Sequence, residues 1–232
     1  MTEKRKIGIE MYYPYELIIQ SIIEFLATEK INKEELFIKM HSIFNGENRA
    51  RKATNSLYAV ITNKTNLQKA IQKNFTAEAF SKLSKKDQEF ICLSMICLKY
   101  PFLLDVMSHF AKVFNTQETV SIKYIKSIMA STYGSNRTME IALIAAVYFL
   151  LNANIIERVK PGLFRKCKPA SVSNFTKEAW ISVFLEYNKT KTFSLDDLQY
   201  EPLMTFLCDF DLDWENAKIL QIEELNIKNI II

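Results

Sequence analysis

Only 4 glycines and 5 prolines punctuate a chain of 232 residues. A fold of many short strands needs a turn every ten residues or so, roughly, and each tight turn draws on Gly for a positive φ or on Pro for a preset one. So few turn residues leave long helices as the solution, and the plentiful Leu, Ile, Lys, Glu and Ala agree with it. Apolar residues make up 49% and charged residues 24%, which is the balance of a folded globular protein and excludes wholesale disorder. At this length a hydrophobic core forms without disulfides or metals. The expected class is mainly α.

Several chemistries are excluded early. Cys92, Cys97, Cys167 and Cys208 form no C-x-x-C pair and have no His at ligand spacing, so a zinc cluster has no support and the thiols read as reduced and structural. The two histidines, His41 and His109, stand apart from any Ser or Cys nucleophile setting, and each reads as a packed or hydrogen-bonded residue. The paired acids Asp196-Asp197 point apart when adjacent on a helix, and no carboxylate cluster stands beside a Lys as a metal nuclease requires. No cofactor and no enzymatic activity are expected. The first residues carry no signal peptide, which predicts a cytoplasmic protein. The longest unbroken apolar run, 141–151, falls short of the roughly 20 residues that span a bilayer. The other greasy stretch, 90–107, is interrupted by Lys99, Pro101 and Asp105. Both read as buried core helices, and no membrane partner is expected.

Charge is distributed unevenly. Residues 1–195 carry 28 basic against 17 acidic side chains, a net +11, while residues 196–232 carry 2 against 9, a net −7. A basic body suits a polyanionic partner, although ordinary solubilising charge gives the same count.

The chain divides into four parts: 1–65, 66–100, 101–169 and 170–232. In the first, residues 15–28 and 33–45 carry apolar stripes at helical spacing. Asn32 with Glu35 resembles a capping box, and Asn45-Gly46 supplies a left-handed stop. A third helix, 48–61, turns Ala50, Ala53, Leu57 and Val60 inward and presents Asn48, Arg51, Lys52 and Asn55 outward, with Arg49 and Ser56 flanking. Helix, short Gly-containing turn, helix with a basic outer face is the helix-turn-helix arrangement. Arg49, Arg51, Lys52 and Asn55 have the chemistry to meet phosphates and base edges. A three-helix bundle with a solvated basic face remains the alternative.

The second part, 66–100, reads as a helical connector. The third, 101–169, reads as a winged-helix-like module: a first helix at 103–115 after Pro101, a second capped by Ser121 and ending near Ser131, a Tyr133-Gly134-Ser135 turn, and a third capped by Asn136 or Ser135 and running to Asn152. A hairpin of 155–159 and 163–167 around Pro161-Gly162 forms the wing, which carries Arg158, Lys160, Arg165, Lys166 and Lys168. From Met139 onward the third helix is apolar almost all round except Glu140, so burial is expected beyond its first turn. Only Ser135, Asn136, Arg137 and Thr138 are then left to face a groove, through phosphate contacts at the helix start. If the track is continuous, Arg51, Lys52, Arg137, Arg158 and Lys166 share one face. A winged helix used for protein contacts is the alternative.

The fourth part, 170–232, reads as a C-terminal helical region with an acidic tail. Helices are expected at 176–187 and at 194–208, the second capped by Ser194 with Asp197. The acids of 209–215 lack the Gly and distal Glu of a calcium loop. The Ile-rich end reads as a strand, a docking segment or a partner contact.

Asn48-Arg49-Ala50-Arg51-Lys52 at a helix start, Lys99-Tyr100-Pro101-Phe102-Leu103, and Ser135-Asn136-Arg137-Thr138 before an apolar helix ending in Asn154-Ile155-Ile156 resemble the BrxA family of the bacterial BREX phage-defence systems. The resemblance covers residues 15–168. It implies a small helical accessory protein that binds double-stranded DNA, has no catalysis of its own and works beside other defence-system proteins. The acidic stretch after residue 195 lies outside the resemblance, which leaves its role open; with the Ile-rich end it motivates the competing expectation, a protein-interaction or scaffold subunit of a defence complex without direct DNA contact.

Overall fold

The computed structural model describes residues 7–188, 192–194, 198, 200–209, 211–213, 216–225 and 227–231. The first helix, α1 (Tyr15–Thr28), buries Tyr15, Leu17, Ile18 and Ile22. In front of α2 (Lys33–Ile43), the Asn32 side-chain oxygen accepts from the amides of Glu34 and Glu35. Its amide group also donates to Glu35 Oε1 at 2.9 Å, while its backbone N–H goes to Glu24 Oε1 at 3.1 Å. The box therefore closes side chain to side chain. Gly46, at φ 95°, is the N-cap of α3 (Glu47–Ile61), whereas α2 ends on extended Phe44. The expected left-handed stop is thus a left-handed entry to the next helix.

The middle comprises α4 (Asn66–Asn74), α5 (Ala77–Ser81), α6 (Lys85–Lys99) and α7 (Pro101–Phe114). Every residue of α6 from 87 to 97 is buried, because α1, α3, α7 and, at the far end of the chain, α10 (Asn174–Asn188) all pack on it. From Phe90 to Cys97 only Ser94 interrupts an apolar run, and a stretch apolar on every side belongs inside. One contiguous core runs from Ile9 to Leu220. No single helix among the described residues is long and apolar enough to cross a membrane.

After α7 come β1 (Thr119–Ser121), α8 (Ile122–Tyr133), α9 (Arg137–Asn152), β2 (Ile156–Lys160) and β3 (Leu163–Lys166). The three strands pair antiparallel in the order β1-β3-β2, which with α7, α8 and α9 is the order and pairing of a winged helix. The hairpin was expected; β1 was not. Val120 and Phe164, opposite each other, are both buried, and the Phe164 ring meets Phe110 of α7 edge-on at 6.0 Å. The mainly helical fold with a small wing is therefore what the chain adopts.

The last region differs from expectation. The helix expected at 194–208 differs at both ends: Ser194 closes β4 (Thr192–Ser194) and a 3-10 turn stands at Pro202–Phe206, while Leu198 is helical and 195–197 and 199 lie outside the described residues. Pro202 leads that turn, and the Trp180 indole of α10 donates to the Leu203 carbonyl at 3.2 Å. β4 joins a second antiparallel sheet with β5 (Gln221–Leu225) and β6 (Ile227–Ile231), in the order β4-β6-β5. Asp196 and Asp197, the residues Phe210, Trp214 and Glu215 of the acidic loop, Ile232 and the basic first six residues lie outside the described residues.

Candidate nucleic-acid interface

At the start of α3, Gly46 turns the chain so that Asn48, Arg49, Arg51, Lys52 and Asn55 are exposed while Ala50 and Ala53 are buried against the core. The three cations on this helix have different neighbours. Arg51 forms an i,i+4 pair with Glu47 at 2.5 Å and lies over the Phe37 ring, 5.1 Å from its centroid. That pair pulls the Glu47 carboxyl below its ordinary range. Lys52 Nζ meets Glu10 Oε2 at 2.8 Å. Arg49 lies over the Phe44 ring at 5.8 Å and has no ion-pair partner among the described residues.

At the start of α9, Asn136 is the cap, its side-chain oxygen accepting from the Met139 amide at 2.9 Å, which leaves Ser135 exposed beside it. Arg137 and Thr138 follow, both exposed. A groove of about 560 Å³ is lined by Asn48, Arg49 and Lys52 from α3, by Thr138 and Ile141 from α9, and by Glu10 and Met11 from the preceding segment. The first turns of two helices that lie about ninety residues apart in sequence thus face one space. The bond that fixes them is the segment 7–14: Tyr13, buried, reaches Ser56 of α3 at 3.5 Å and stacks edge-on with Phe149 of α9 at 5.2 Å.

Beyond its first turn α9 is not buried all round, contrary to the sequence expectation. Ile141 is 41% exposed, Ile144 59% and Tyr148 44%. With Arg137 these residues recur at helical spacing along one face, because the opposite face, from Met139 to Leu150, already fills the contact with α7. Composition cannot distinguish a helix buried on every side from one whose outer face is also apolar.

The wing cations are divided. Arg158 is exposed over Phe164, at 5.8 Å, and lines a second groove of about 330 Å³ with Lys126, Ile144 and Tyr148. Lys160 and Lys168 are exposed without an ion-pair partner among the described residues. Arg165 is paired to Glu157 across the hairpin at 2.6 Å, which raises its pKa further. Lys166 donates to Thr205 Oγ1 at 2.5 Å, and with Arg165 it lines a third groove beside Gln117 and Glu118. The five-residue track is therefore corrected: Lys52 meets α9 in one groove, Arg158 meets α9 in the next, Arg137 is exposed at the start of α9 but lines neither groove, Arg51 lies over Phe37, and Lys166 bonds to Thr205.

Sequence reasoning missed Glu10, Met11 and Lys126. Glu10 looked like part of a plain N-terminus, and Lys126, paired to Glu140 at 2.6 Å, sits on α8 away from every motif. Elsewhere, burial and the charge of Lys112 push the His109 imidazole pKa down. Among the described residues no group of three or more His, Cys, Asp or Glu could hold a metal ion. No known protein family, curated protein or solved structure matches the chain.

Proposed function

We propose that this chain is a non-catalytic double-stranded DNA-binding protein, an accessory of a bacterial phage-defence system of the BREX kind, and that its two helical modules grip one duplex. The observation that carries the reading is the shared groove, where Arg49 and Lys52 of α3 stand across from Thr138 at the start of α9. Cations beside the first turn of a helix suit phosphate recognition, and Arg49, Lys52 and Thr138 line this one groove. The winged-helix order of α7, α8, α9 and the β2–β3 hairpin, with Arg158 and Lys160 exposed on the wing, adds a second set of cations. The net +11 of residues 1–195 supplies the long-range attraction.

The test is a fluorescence-anisotropy titration of a labelled duplex at several salt concentrations. Counterion release predicts a linear fall of log K with log salt, with a slope near 0.9 per neutralised phosphate, roughly. Absence of binding at low ionic strength contradicts the reading and leaves the scaffold role.

A further inference from the structure

The exposed face of α9 presents a problem that phosphate binding does not solve. Ile144 and Tyr148 are large apolar side chains, 59% and 44% exposed, on the third helix of the winged unit. Solvent-facing apolar groups in a row gain nothing from water. This row is bracketed by charge: on one flank Ile141 shares a groove with Arg49 and Lys52, and on the other Ile144 and Tyr148 share a groove with Lys126 and Arg158. Of these cations, Lys52 is paired with Glu10 and Lys126 with Glu140, while Arg49 and Arg158 have no ion-pair partner among the described residues. An α-helix about 10–12 Å across matches the major groove, about 12 Å wide. A helix with cations on both flanks can therefore meet both phosphate strands while its ridge faces the bases. Apolar atoms at that depth have one apolar counterpart, the 5-methyl group of thymine.

We infer that the α9 ridge of Ile141 and Ile144 contacts thymine 5-methyl groups in the major groove, so that this protein prefers duplexes rich in A·T pairs with thymine at the contacted positions. The inference rests on the DNA-binding reading above. An apolar face flanked on one side only, or ringed by acids, fits a protein partner; here each groove also holds one acid, Glu10 or Glu140, bound to one of its two cations, and the remaining cation on each flank, Arg49 or Arg158, matches the duplex in charge.

The experiment compares an A·T-rich duplex of about two helical turns, roughly 20 base pairs, with the same duplex carrying dU in place of every dT. The two are identical in charge and hydrogen-bonding edges and differ only in the methyl groups. Wild-type protein binds the dU duplex more weakly, by about fourfold for each methyl contacted, at any one salt concentration. Ile144→Ser and Ile141→Ser each lose part of that difference and the double variant loses it entirely, all three keeping the salt slope of the wild type. Equal affinity of the wild type for the two duplexes overturns the inference and leaves the DNA-binding reading intact. A dT preference that survives both substitutions also overturns it. If neither duplex binds at low salt, the DNA-binding reading itself fails, and the ridge becomes a contact for a protein.

Discussion

Arg49 and Arg51 are two positions apart on α3 and have different surroundings. The guanidinium of Arg51 is held by Glu47 and Phe37, whereas Arg49 lines the groove that α9 also lines. We expect Arg49→Ala to weaken duplex binding and to lower the salt slope by about 1, and Arg51→Ala to leave both nearly unchanged; anisotropy titrations of the two variants decide. Glu10 carries an acid into the same groove as the partner of Lys52, so Glu10→Gln strengthens binding at low salt by about threefold. A residue inside the fold has a pH signature. Asp87, buried between the starts of α6 and α10, accepts from Ser84 Oγ at 2.6 Å, from the Ser173 amide at 2.7 Å and from Thr176 Oγ1 at 2.7 Å. Burial pushes its carboxyl up, but these three bonds together outweigh that and hold it below the ordinary carboxylate value. Its stabilisation is therefore complete above the unfolded pKa of about 4 and is lost as pH falls through the lower folded value. Urea denaturation between about pH 5 and pH 2 shows that loss in the wild type and a flatter profile in Asp87→Asn, which is also less stable at neutral pH by about 2 kcal/mol.

Elements were legible in the sequence where their signals were local. Asn32, Ser121 and Asn136 each cap the helix that follows, so those starts depend on neighbours a few residues away. β1 is the opposite case: three residues become a strand only because β3, more than forty residues on, supplies the pairing. The start expected for a helix at Ser194 was missed for the same reason, since Ser194 belongs to β4, which is defined by pairing with β6. What holds the acidic region to the body was equally invisible. Glu178, buried in α10, accepts from the amides of Lys218 at 2.7 Å, Ile219 at 2.7 Å and Leu220 at 3.2 Å, and Lys177 pairs with Asp209. Removing that carboxylate leaves three amides without their acceptor. Glu178→Ala is expected to release the segment, seen as rapid tryptic cleavage after Lys218 that the wild type resists. In the wing, Phe164→Ala opens a cavity beside Phe110 and costs about 3–5 kcal/mol, read from the urea midpoint.

At the scale of the whole molecule, the segment 7–14 ties α3 to α9. It passes between α3 and α9, with Tyr13 against Ser56 and Phe149 and the Tyr15 hydroxyl donating to the Phe149 carbonyl at 3.3 Å. The residue types of the candidate site were readable, because cations at helix starts and on a wing stand in the sequence itself. Their convergence was not: it depends on a crossing that no local pattern encodes, and the same crossing turned Arg51 and Lys166 away from the shared groove. The tail's acids were expected as a separate charged feature, yet Asp209 faces α10. A single duplex held by both modules has a direct test in the salt dependence and stoichiometry of binding for Arg49→Ala, Arg137→Ala and the double variant. One duplex bound per chain, with each single substitution lowering the salt slope by about 1 and the double variant lowering it by about twice that, is the expected result. Two duplexes per chain, or a double variant that binds as the wild type does, contradicts the account.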